Sequence, residues 1–238
     1  MNFLELVNDV SLRVNETSLD SSNFASAQGY YSSAKSAVNS SIRMLNQDAF
    51  QWPFNYVEYE QVLTAGTMRY EQAVNAKSLD FNTFRVKRDD TFGNKTELLS
   101  IVDYEEHLNK HVDDEYNTAD TSIRGLPRSV IRAPGNMFLL HPSPKEDYTL
   151  VYEYYALPID LDLYSDVPST PASFRHVIVD GAMYYINTFR NDNESAQMAL
   201  GKFREGVKQM RSIYMNRYEY VRDTRTHGSS AATNDRVS

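Results

Sequence analysis

A chain of 238 residues, 41% hydrophobic and 24% charged, can bury one large core or two modest ones and has the composition of a globular protein. It contains no cysteine, which excludes disulfides, thiolate metal sites and cysteine nucleophiles. Its net charge of −8 argues against a surface that grips phosphates, which needs clustered Lys and Arg, but not against a lumen through which a polyanion slides.

The N-terminal stretch Met1 to Leu6 has an early acid and no basic flank, unlike a signal peptide. No apolar run approaches the roughly 20 residues that span a bilayer. Phe3, Val7, Val10 and Val14 recur at i, i+4, i+7 and i+11, a helical stripe. Asp20, Ser21, Ser22 and Asn23 offer N-caps for a second helix. Its apolar face is Ala27, Tyr30, Tyr31, Ala34, Val38, Ile42 and Leu45, and Trp52-Pro53-Phe54 ends it.

The pattern then shortens. Tyr56 to Leu63, Thr67 to Ala73 and Thr83 to Arg88 predict strands, with Lys95 to Val102 as the return strand of a hairpin. Asp103-Tyr104-Glu105-Glu106 has the form of a capping box and predicts a short helix to about Val112, followed by a polar loop to Ser122. Ser129 to Ala133 and Met137 to His141 flank Pro134-Gly135-Asn136, which suits a type II turn. Tyr148 to Tyr155 carries apolar bulk on both faces, as a central strand does.

After a linker with Pro158, Pro168 and Pro171, Phe174, Val177, Ile178, Gly181, Tyr184, Tyr185 and Thr188 form a third stripe. Ala196, Leu200, Phe203, Val207, Met210 and Tyr214 form a fourth, after a break too short for anything but antiparallel neighbours. The predicted fold is α+β. Residues 1–52 and 170–220 make an antiparallel four-helix bundle from both chain ends. Residues 53–169 make an inserted antiparallel β-rich domain with one short helix, and 221–238 a flexible C-terminal tail.

Little of this is chemistry. His107 and His111 stand at i, i+4 beside Glu105, Glu106, Asp113 and Asp114, but without the H-E-x-x-H motif the expectation is a solvated helix face and no metal. Asp160, Asp162 and Asp166 lack the glycine and bidentate glutamate of a calcium loop. No G-x-G-x-x-G, Walker A or G-x-S-x-G motif is present, so neither a cofactor nor catalysis is expected. Asp147 and Glu153 are a carboxylate pair in sequence alone. Lys202, Arg204, Lys208 and Arg211 on the last helix fit either a solvated face or docking to an acidic surface or DNA. Arg217, Tyr218, Tyr220, Arg222 and Arg225 beyond it form a segment suited to ordering on a partner.

Several motifs follow one another in a telling order. They are Phe3-Leu4-Glu5-Leu6-Val7, Trp52-Pro53-Phe54-Asn55, Thr64-Ala65-Gly66, Gly125-Leu126-Pro127, His141-Pro142-Ser143-Pro144 and Tyr154-Tyr155-Ala156-Leu157-Pro158. Val167-Pro168, Phe174 through Ala182, Phe189-Arg190 and Asn193-Glu194-Ser195-Ala196 complete the series. Together they resemble the head-to-tail adaptors of short-tailed bacteriophages, the tail tubular protein A family. The chain departs at Glu71-Gln72-Ala73, where the resemblance leads one to expect a Leu-Pro step.

The resemblance implies a structural virion protein at the head–tail interface, assembled in the host cytoplasm as a dodecameric ring. Its partners would be the portal, the tail nozzle and a tail fibre, with genomic DNA passing through the channel without specific binding and no membrane involved. Arg217, Tyr218, Tyr220, Arg222 and Arg225 would then meet the portal. Two other classes stay open from the residues alone. One is a monomeric ligand-binding module with a Tyr-rich sheet surface; the other is a metal-dependent hydrolase around His107 and His111.

Overall fold

The computed structural model describes residues 1–47, 50–88, 95–117 and 120–214. It is an α+β structure with six helices and two four-stranded sheets among those residues. Helix α1 (Phe3–Arg13) opens on a capping box, Asn2 Oδ1 accepting from Glu5 N at 2.9 Å while Asn2 N donates to Glu5 Oε2 at 3.0 Å. Helix α2 (Tyr30–Gln47) starts later than the caps at Asp20 to Asn23 suggest. Asp20 instead closes a turn, its Oδ1 accepting from Ser22 N and Asn23 N. Gly29, at φ +65°, leads into the helix.

Helix α5 (Arg175–Phe189) packs against this N-terminal pair, and α6 (Asn193–Tyr214) packs on α5. One core joins Phe3, Leu6, Val7 and Val10 of α1, Ala34, Ala37, Val38 and Ile42 of α2, and Ile178, Val179, Ala182 and Ile186 of α5. A second joins Leu45, Trp52 and Val177 to Phe203, Val207 and Met210 of α6. Helix α5 contributes to both cores, so residues far apart in sequence bury each other's stripes. Gly181 and Gly206 let α5 and α6 approach closely. A Cβ on Gly181 would lie 2.2 Å from Ser41 Oγ and 2.8 Å from Phe203 Cδ2, and one on Gly206 2.6 Å from Val177 Cγ2.

The first sheet is antiparallel, in the order β1 (Tyr56–Leu63), β8 (Tyr148–Ala156), β3 (Ala76–Arg88), β4 (Lys95–Leu98). The Tyr-rich β8 lies between β1 and β3, as its two apolar faces suggest. The second sheet runs β2 (Arg69–Glu71), β7 (Met137–His141), β6 (Ser129–Ala133), β5 (Ser100–Val102). The sheets share a core in which the rings of Phe84 and Tyr152 stack at 4.6 Å and Phe138 meets both edge-on.

Three expectations for this region need correction. The second sheet is mixed, because β5 runs parallel to β6. The predicted return strand from Lys95 to Val102 breaks at Leu99, whose side chain is buried in the core and whose N–H donates to Phe84 O. That break sends Lys95–Leu98 to one sheet and Ser100–Val102 to the other. There are also two short helices rather than one, α3 (Tyr104–Lys110) and α4 (Val112–Tyr116), and Asp103 makes no side-chain capping bond. Helix α3 covers the outer face of the second sheet, where Val102, Tyr104, Ile131 and Leu139 cluster.

Candidate functional site

Alternation along β7 decides what α3 and α4 meet. Phe138 and Leu140 point into the core between the sheets, so Met137, Leu139 and His141 face the other way. Arg69, paired with Leu139, shares that outer face. The backbone of His111, at φ −133° and ψ 5°, turns the chain from α3 into α4. Asp114 then follows at i+3, on the face of α4 that carries His111.

These placements bring five titratable side chains together. Asp114 Oδ2 lies 3.2 Å from His141 Nε2 and 3.5 Å from His111 Nδ1, and the two imidazole centres are 4.0 Å apart. His107 is fully buried behind them, its ring centre 6.3 Å from each of the other two. Its Nε2 stands 3.7 Å from Glu115 Oε2, an electrostatic rather than hydrogen-bonded separation, and neither ring nitrogen has a hydrogen-bond partner. Burial lowers the His107 pKa, with the Glu115 charge opposing the shift. Glu115 is gripped by the Arg69 guanidinium, whose hydrogen bonds hold its carboxyl below the usual range.

The solvated helix face expected for His107 and His111 therefore needs correction, because His107 is fully buried while His111 is half-buried. His111 instead meets His141, which sequence spacing could not supply because the contact depends on how α4 folds over β7. The other acidic candidates are occupied locally. Asp160 binds Arg43, and Asp166 Oδ2 accepts from the N–H groups of Asp162 and Leu163. Asp147 accepts from Ala65 N, while Glu153 pairs with Arg85, so these two carboxylates have separate partners. On the Tyr-rich strand Tyr152 and Tyr154 are buried, while Tyr148 and Tyr155 are half-buried.

The chain matches the SU10 adaptor protein family over residues 1–232, nearly its whole length. It belongs to that family. A comparison with curated proteins returned no match. Membership bears out the phage head-to-tail adaptor that the sequence resembles, and gives this adaptor-family chain a structural role in a phage particle, among other head or tail proteins. No helix among the described residues is long and apolar enough to cross a membrane. Of the basic positions on α6, Lys202, Arg204 and Lys208 are exposed, while Arg211 is half-buried over the Phe50 ring. Arg217, Tyr218, Tyr220, Arg222 and Arg225 lie outside the described residues.

Proposed function

We propose that this protein is the subunit of a dodecameric ring between the portal and the tail nozzle of a short-tailed phage, with DNA passing through the ring during ejection. The family match over residues 1–232 carries the reading. The net charge of −8 supports a channel wall that does not hold the duplex. Leu12, Phe189, Met198 and Ile213 are exposed apolar side chains on helices, available to neighbouring copies or partners. The role is mechanical and structural rather than enzymatic.

In this reading residues 1–52 and 170–220 act as one antiparallel four-helix bundle, the shared burial of α1, α2, α5 and α6 being its support. Residues 53–169 project from it as a second domain that can dock a tail fibre. Residues 221–238, expected as a C-terminal tail, lie outside the described residues. Attachment to the portal uses Arg217, Tyr218, Tyr220, Arg222 and Arg225, since tyrosine fills apolar grooves and arginine pairs with carboxylates. Subunits assemble in the host cytoplasm and end in the virion.

Electron microscopy of the purified chain mixed with its portal tests this. Rings capping the portal are expected, and deleting residues 222–238 should weaken that co-assembly while leaving the free protein's helical signal unchanged. A full-length chain that stays monomeric beside the portal, or that binds DNA tightly and sequence-specifically at physiological salt, overturns the proposal.

A further inference from the structure

We propose that His111, Asp114 and His141 bind one divalent transition-metal ion, zinc by ligand chemistry, which clasps the α3–α4 segment to the end of β7. Each of the three residues offers a ligand atom within 4.8 Å of the other two, and the nitrogens facing Asp114 Oδ2 are His111 Nδ1 and His141 Nε2. Zinc bonds of about 2.0–2.1 Å in a tetrahedron set neighbouring ligand atoms about 3.3 Å apart. The two separations from Asp114 Oδ2, 3.2 and 3.5 Å, straddle that value. The longer one exceeds a normal N–H···O hydrogen bond, so hydrogen bonding alone does not account for one oxygen facing two imidazole nitrogens.

The donor set also fits. Two imidazoles and a carboxylate suit zinc, and three protein ligands leave a fourth position for water. The side chains of His111, Asp114 and His141 are 37%, 35% and 22% exposed, so an ion and its water can reach them from one side. The opposite side is closed by the buried His107 ring. Glu115 is withdrawn from the ligand set by its bonds to Arg69. Two imidazoles held 4.0 Å apart would repel if both were protonated; a shared cation lets both stay neutral and bind. The inference stands on this cluster alone and does not depend on the ring.

The test is a cobalt(II) titration of untagged, chelator-stripped full-length protein at about pH 7.5, where histidine is neutral. The expected result is a visible absorption band that saturates at one equivalent and is displaced by zinc, with a raised melting temperature. His141→Ala and Asp114→Asn should each weaken binding by more than the roughly 10–100-fold that loss of an outer-shell partner costs. Asp114→Asn keeps the side-chain shape, so it remains informative if His141→Ala does not fold. His176→Ala, and removal of residues 222–238 with His227, should change nothing. No band at millimolar cobalt, or a band that survives both ligand substitutions, overturns the proposal.

Discussion

The Asn55 side-chain amide donates to Asn46 Oδ1 at 2.6 Å, with both residues buried. This bond ties the last turn of α2 to the residue that precedes β1. The Asn46 amide donates in turn to Ile42 O, and the Ser169 hydroxyl donates to Asn55 Oδ1 at 2.8 Å. The Lys77 ammonium, on β3, donates to the carbonyl oxygens of Asn46 and Phe50. The outgoing and returning chain segments thus meet in one partly buried polar network, the kind of arrangement that rigidifies when its members are satisfied.

Asn55→Ala strips that network of its centre and leaves Asn46 Oδ1 without its amide donor. Unfolding in urea should show a loss of about 1–3 kcal/mol, the cost of an unsatisfied buried polar group. Ser169→Ala should cost less, and the double substitution less than the sum, because both act on one oxygen. Strict additivity would mean that the two bonds are independent.

The helix α5 contact gives a second expectation. Gly181→Ala places a methyl against Ser41 Oγ and Phe203, and such overpacking costs typically 1–3 kcal/mol. Ser41 Oγ is buried without a hydrogen-bond partner, so Ser41→Ala should be neutral or stabilising. Combining the two should recover part of the Gly181→Ala loss. Melting temperatures of the four proteins of this cycle check it.

Burial pushes the Tyr152 phenol up from 10.0 to about 12. The unfolded chain therefore loses this proton first, and the native state holds more protons between those two values. Stability should be intact below pH 10 and fall by about 2–3 kcal/mol as pH rises through the folded value. Tyr152→Phe should flatten that alkaline limb. At neutral pH it should cost about 1 kcal/mol, since the Ala73 N–H loses its acceptor. Denaturant titrations at several alkaline pH values read both effects.

Trp52 is the single tryptophan, buried between Leu45 and the α6 residues Phe203, Val207 and Met210, with its Nε1 donating to Leu45 O at 3.1 Å. Its native emission should be blue-shifted and poorly quenched by iodide. Because it adjoins both the helical cores and the turn before β1, its red shift on unfolding should coincide with loss of far-ultraviolet ellipticity. A tryptophan transition clearly ahead of the ellipticity change would show that the helices and sheets melt separately.

The four helical stripes were legible because periodicity needs no partner: Val38 and Ile178, on stripes 140 residues apart, share one core. The β7 hairpin was legible too, its turn holding Gly135 at φ +78°. Where α2 begins was not, because the same Asp20 to Asn23 residues close a turn as readily as they cap a helix. The parallel pairing of β5 with β6 was hidden for another reason: it depends on a partner about 30 residues away, whereas turn chemistry announces only neighbouring strands. The cluster at α3–α4 was half visible. His107 and His111 stood out by spacing, yet His141 enters only through strand alternation and the turn at His111.

Met1 and Tyr214, the outermost described residues, both belong to the helical part, and Arg175 at the start of α5 donates to the Met1 carbonyl. Helix α5 touches both α1 and α6, so it is the element through which these two parts of the chain meet. The Asn46–Asn55–Ser169 network is the joint at which the helical part hands over to β1.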